Sequence, residues 1–139
     1  MSGPAEFVDF DPDEATPRLC TVARDTLGDG MFKRQLAGRG RFGHVRVVLS
    51  PHPGIHGYRF AWPKGTSQAL PHAFMRSACL AGVKRAVSEP LNDGRRLMFV
   101  AVSVVDGSYH ETDTDEQSVE QAAYLAVRNA VATATLVDV

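Results

Sequence analysis

The sequence predicts a two-layer α+β sandwich, a mixed four-stranded sheet with two helices on one face. Three observations carry that prediction. Val45, Val47 and Leu49 alternate with His44, Arg46 and Val48, and Tyr58, Phe60 and Trp62 alternate with Gly57, Arg59 and Ala61. A period of two marks half-buried strands. Val119, Ala122, Ala123, Ala126, Val127, Ala130 and Val131 instead recur at helical spacing through three turns. The order of patterns is strands, helix, strand, helix, which suits helices packed against one face of a sheet.

Taken in order, residues 1–17 read as a flexible acidic arm, with Pro4, Pro12 and Pro17 set among carboxylates and a short extended piece at Phe7-Val8. A single domain is expected over 18–139. Leu19 to Leu27 is expected as a strand, Gly28-Asp29-Gly30 as a turn, and Met31 to Gln35 as the returning partner. Ala37 to Gly43 reads as a flexible basic loop. The strand around Val45–Leu49 ends at Ser50-Pro51-His52-Pro53-Gly54, and the strand at Tyr58–Trp62 breaks at Pro63-Lys64-Gly65. A helix is expected from Pro71, in the first helical position, to Ser88. Gly82 should weaken its middle by about 1 kcal/mol relative to alanine. Leu97 to Val105 is the most apolar strand and is expected to be central. In the last helix, Thr114 with Gln117 can form a capping box, and Asp115 and Glu116 suit the positive end of its dipole.

Composition bounds the function classes. The chain has 139 residues, 44% hydrophobic and 22% charged, with a net charge of -1. Nothing global demands nucleic acid, but the charge is segregated. Asp9, Asp11, Asp13 and Glu14 are followed by a basic middle of Lys33, Arg34, Arg39, Arg41 and Arg46, then by Glu111, Asp113, Asp115, Glu116 and Glu120. A basic face can hold phosphates while the total stays near neutral. Cys20 and Cys79 have no metal spacing and read as buried thiols in a reducing compartment. His52 and His56 are separated by Pro53-Gly54, so helical metal-ligand spacing does not apply, and no metal or cofactor is expected. No apolar stretch is long enough to span a bilayer, and a cytoplasmic location is the expectation.

Two stretches carry a family signature. Lys33-Arg34-Gln35-Leu36-Ala37-Gly38-Arg39-Gly40-Arg41-Phe42-Gly43-His44-Val45 resembles the K-R-Q-S-G-G-R-G-Q-Y-G-H-V run that opens domain IV of elongation factor G. Gly107-Ser108-Tyr109-His110-Glu111, with Asp113 and Glu116, resembles the same domain's G-S-Y-H-[ED]-V-D-S-S-E motif. Between them Gly57-Tyr58-Arg59-Phe60 looks like the family's G-Y-E-F, and Glu89-Pro90-Leu91 like its G-P-L. Order and approximate spacing agree from residue 33 to about 132. The resemblance implies the fold of the second domain of a small-subunit ribosomal protein, including a left-handed β-α-β crossover.

It also implies a site. In the family this domain enters the decoding region of the small ribosomal subunit, and its tip loops touch RNA. Carried over, the tip positions are Gly38, Arg39, Gly40, Arg41 and His110, with Lys33 and Arg34 beside them. Glycine lets backbone approach phosphate, arginine forks onto phosphate, and histidine donates to ribose or stacks on a base. Arg41 stands where the family has glutamine, which shifts the balance toward phosphate contact. Phe42 stands where it has tyrosine and reads as core packing.

The expected function is therefore a non-catalytic, translation-related module that binds the ribosome or structured RNA through two tip loops. The chain lacks a G-x-x-x-x-G-K-[ST] phosphate loop, so no GTP binding is expected. Met1 and the acidic arm, which the family run lacks, suggest a complete small protein rather than a fragment. One alternative is a protein-interaction or regulatory module that kept the fold and lost RNA binding. A small enzyme is the other; the sequence displays no nucleophile-histidine constellation to support it.

Overall fold

The computed structural model describes residues 6–10, 18–36 and 39–139. In chain order the elements are β1 (Glu6–Phe10), β2 (Leu19–Val22), β3 (Thr26–Leu36), β4 (Arg39–Pro51), β5 (Tyr58–Trp62), α1 (Thr66–Ala69), α2 (Ala73–Ser88), β6 (Arg96–Leu97), β7 (Val100–Ser108), α3 (Glu116–Thr133) and β8 (Leu136–Asp138). The main sheet has five strands in the order β1-β5-β7-β4-β3, and a small sheet has the order β6-β2-β8. Among the described residues, only β5 and β7 run parallel in the main sheet, and α2 lies in the connection between them. The expected α+β class stands, but the four-stranded description is corrected. Glu6–Phe10, read as part of an arm, is an edge strand whose Phe10 ring stacks on Tyr58 at 5.3 Å. The rest of that arm lies outside the described residues.

One face of the main sheet carries the core. Val45, Val47 and Leu49 of β4, Tyr58 and Phe60 of β5, and Val100, Val102 and Val104 of β7 are fully buried. They meet Met75, Cys79 and Val83 of α2 and Val119, Ala122, Ala123, Ala126 and Val127 of α3 in one cluster. Both long helices cover this face and pack on each other. The buried Tyr58 hydroxyl donates to the Leu97 carbonyl, tying β5 to the small sheet. The opposite face stays open and carries the intervening side chains, among them the exposed Leu27 and Met31.

The predicted turn at Gly28-Asp29-Gly30 is instead the interior of β3, paired with Val47-Arg46-Val45. The reason is steric. A Cβ on Gly28 would stand 2.1 Å from the Ala126 carbonyl oxygen, and one on Gly30 would stand 2.1 Å from that of Ala122. The glycines let β3 pass directly beneath α3; they do not bend the chain. The chain turns instead at Ala23–Asp25, and β2 leaves for the small sheet. Gly82 follows the same logic. A Cβ there would meet the Glu120 carbonyl oxygen at 2.3 Å, so alanine would collide rather than help.

Other boundaries move for local reasons. α2 starts at Ala73 with His72 as N-cap, so Pro71 precedes the helix instead of opening it. The expected strand Leu97–Val105 is broken at Met98-Phe99, where Phe99 adopts φ 57°. Three hydrogen bonds hold Phe99 there: its amide donates to the Gly57 carbonyl, and its carbonyl accepts from the His52 amide and the Thr21 hydroxyl. This switch passes the chain from the small sheet to the main one, where β7 is central as expected.

Candidate nucleic-acid interface

The β3–β4 hairpin and the segment after β7 form the site. The region read as a loop from Ala37 to Gly43 is mostly ladder, with Lys33↔Phe42, Arg34↔Arg41, Gln35↔Gly40 and Leu36↔Arg39 paired. Arg39 therefore begins β4. Gly38 lies outside the described residues. Gly40 lies against Asp113, whose Oδ2 is 2.8 Å from where a Cβ would stand.

The segment 109–115 folds back on this hairpin. The Phe42 amide donates to the Asp113 carbonyl at 2.9 Å. The Phe42 and His110 rings stack at 4.1 Å between centroids and 5° between planes. Phe42 is 9% exposed, so the expectation of core packing is refined: one face of its ring packs on an exposed histidine of the second motif. His110 is held from behind, because its amide donates to Thr114 Oγ1 at 2.8 Å and its carbonyl accepts from the Thr114 amide. His72 adds a brace, with its ring edge-on to Tyr109 at 5.2 Å and its Nε2 3.7 Å from Glu111 Oε2.

These bonds correct the expected capping box. Thr114 serves His110, and Asp115 is the N-cap of α3, with Oδ1 accepting from the Ser118 amide at 2.8 Å and the Ser118 hydroxyl at 2.7 Å. Gln117 is engaged by Arg41, whose Nη1 donates to Gln117 Oε1 at 2.8 Å. A second Arg41 nitrogen lies 4.0 Å from Asp115.

The strand alternation divides the expected basic site. Arg34 and Arg41 fall on the helix side of the hairpin, near α3, whereas Lys33 falls with Phe42 and His44 on the open side. The sequence grouped Lys33, Arg34, Arg39, Arg41 and His110 as one surface; the pleat puts Lys33 on the side opposite Arg34 and Arg41.

The open side also holds an arrangement that the sequence did not display. His44 Nδ1 is 2.9 Å from Ser108 Oγ, and His44 Nε2 is 2.7 Å from Asp29 Oδ1. A hydroxyl, an imidazole and a carboxylate are thus in line, and the expectation of no nucleophile-histidine constellation is corrected. They come from β7, β4 and β3, at positions far apart in sequence, so only register unites them. Arg46 Nε shares the same Asp29 oxygen at 3.3 Å. Both His44 ring nitrogens and Asp29 Oδ1 thereby tie three strands together.

The two cysteines sit in the core and are free thiols. Burial pushes the Cys79 thiol up to about 12, and burial raises Cys20 as well. Among the described residues no group of three or more His, Cys, Asp or Glu side chains could hold a metal ion, and no helix is long and apolar enough to cross a membrane.

Similarity to known proteins follows the two joined motifs. Residues 20–135 match the family described as Elongation factor G, domain IV. The chain belongs to that family. Elongation factor G of Thermotoga petrophila is 35% identical over 112 residues, covering 80% of this chain and 16% of the relative. Elongation factor G of Thermotoga maritima is 34% identical over the same length and shares. A protein from Thermus thermophilus of known crystal structure superposes with a TM-score of 0.71 at 29% identity, covering 89% of this chain and 18% of that one. The chain thus spans about one sixth of the length of these elongation factors. The domain IV match covers both motif stretches that form the site, from Lys33 to Glu116.

Proposed function

We propose that this chain is a translation-related, non-catalytic module that binds the ribosome or structured RNA through the hairpin around Arg39–Phe42 and the 106–116 loop. The observation that carries this reading is the parallel stack of Phe42 on His110. It joins two motifs, 68 positions apart in sequence, and holds an exposed imidazole against the hairpin. An imidazole backed by an aromatic ring is a rigid platform for an unpaired base. Arg39 and Arg41 supply charge for backbone phosphates, and Asp113 and Glu111 at the rim keep that charge from binding polyanions indiscriminately. The similarity to elongation factors supports the ribosome as the place where such RNA is met. No step of chemistry is assigned to Ser108, His44 and Asp29, whose polar atoms serve the sheet.

Filter binding of a structured ribosomal RNA fragment tests the reading. His110→Ala, and Arg39→Ala combined with Arg41→Ala, should each weaken binding by about tenfold. Unchanged affinity in both variants would remove the loops from the interface.

A specific observation favours the protein-interaction alternative. Phe7, Leu27, Met31 and Val105 expose 58%, 54%, 52% and 38% of their surface, and Leu27 and Met31 share one strand of the open face. Capture of a protein with no retention of RNA, abolished by Leu27→Ser with Met31→Ser, would support that reading over the first.

A further inference from the structure

A groove of about 460 Å³ opens on the helix side of the hairpin. Phe32 and Arg34 of β3 and Arg41 of β4 form one wall, Arg85 of α2 the other, and Gln117, Glu120 and Gln121 of α3 line the space between. Three guanidinium groups from separate elements thus meet on one concave surface, and no local stretch of sequence announces it. Among the described lining residues the one carboxylate, Glu120, lies 3.9 Å from Arg85 Nε.

The glutamines sharpen the chemistry. Gln117 Oε1 accepts from Arg41 at 2.8 Å, and Gln121 Oε1 accepts from Arg85 at 2.9 Å. Each amide oxygen is used by a guanidinium, so each side-chain NH2 remains as a donor. Arg85 is further oriented by the Tyr124 ring, 4.1 Å beneath its guanidinium carbon. The lining is therefore rich in N–H donors, carries excess positive charge and includes one aromatic ring, Phe32. A ligand dense in acceptor oxygens with a flat group attached is complementary to it.

We propose that this groove is a second RNA site, which holds a phosphodiester of a single-stranded segment between Arg34, Arg41 and Arg85, with the adjoining base against Phe32. This rests on the RNA-binding reading above and extends it from the loop tip onto the helix layer. Arg41 lines this groove and adjoins Phe42 in β4, so the two sites share the hairpin on its opposite sides.

Fluorescence anisotropy with a labelled single-stranded RNA of roughly ten nucleotides tests it. Arg85 lies outside both family motifs, so Arg85→Ala isolates the groove. Affinity should fall about fivefold to tenfold, and the slope of log affinity against log salt should decrease by about 0.7. Arg85→Lys keeps the charge but loses the fork and should give an intermediate affinity with an unchanged slope. Lys64→Ala removes the same charge elsewhere and should bind like the parent chain. Parent affinity in Arg85→Ala, with His110→Ala still weakened, overturns the groove and leaves the loop site standing. No RNA binding by the parent chain overturns both. If inorganic phosphate at matched phosphate concentration displaces the labelled RNA as well as unlabelled RNA does, the groove is a free-anion site and the RNA assignment is overturned.

Discussion

Gly30 has no room for a side chain. A Cβ would stand 2.1 Å from the Ala122 carbonyl oxygen and 2.3 Å from the Ala126 amide nitrogen. Both contacts are helix backbone, which cannot step aside without moving α3 as a whole. Gly30→Ala should therefore destabilise the chain by about 2–3 kcal/mol, read as a lower denaturant midpoint at unchanged slope. The same change on an exposed strand would be close to neutral or mildly stabilising. Cys79 makes the opposite kind of statement. Its thiol is inaccessible and its pKa lies near 12 because the core disfavours the thiolate. A thiol reagent at pH 8 should leave Cys79 untouched in the folded chain and modify it once denaturant is added. At this scale the sequence was legible where residues are apolar: Val45, Val47, Leu49, Phe60 and Val127 are buried as their spacing requires. It was misleading for glycine, because Gly-Asp-Gly is a turn signal locally and a helix-contact surface only once α3 is present.

Among elements, the β3–β4 hairpin does most to shape the surface. Its pleat sends Arg34 and Arg41 toward the helices and Lys33 with Phe42 toward the open face. A basic run of residues says nothing about that division until both strands are assigned, and Gly38 and Gly40 make Ala37 to Gly43 read as a loop rather than as the partner of Met31 to Gln35. The last helix was the most legible element, since small apolar residues at helical spacing through three turns fit a helix packed closely on a sheet and fit no strand. Its cap was misassigned by one residue because Thr114 and Asp115 both suit an N-cap, and the choice is made by the His110 amide that Thr114 satisfies. β1 was the least legible strand, being short, acidic and flanked by proline. It is held by an ion pair from Arg59 Nε and Nη2 to the two oxygens of Asp9, at 2.7 and 3.0 Å. That hydrogen bonding holds the Asp9 carboxyl below its ordinary value of 3.8. A lowered folded-state value means that the stabilisation is fully present above the ordinary carboxylate value and is lost as pH falls through the folded one. Amide exchange in β1 should therefore accelerate as pH drops below about 4, beyond the intrinsic trend measured for β4 amides. Asp9→Asn should show faster β1 exchange at neutral pH and no such step in acid.

At the scale of the whole molecule, the sheet and helices share one core, and the two motif stretches meet where the segment after β7 folds onto the β3–β4 hairpin. The family was legible because those motifs are long and ordered, and residues 20–135 match elongation factor G domain IV. The geometry of the site was not, because it depends on contacts between distant residues. The His110 stack, the Ser108–His44–Asp29 tie and the Arg34–Arg41–Arg85 groove all join positions that are distant in sequence and meet only in the folded chain. The central claim is that the joined loops hold ribosomal RNA. Sedimentation of the tagged chain with purified ribosomes, at low and at high salt, tests it most directly. The parent chain should co-sediment at low salt and be released as salt rises, in line with phosphate contacts. His110→Ala with Arg41→Ala should stay in the supernatant at low salt. Equal co-sedimentation of parent and double variant, or absence of the parent chain from the ribosomal pellet at low salt, would contradict the claim.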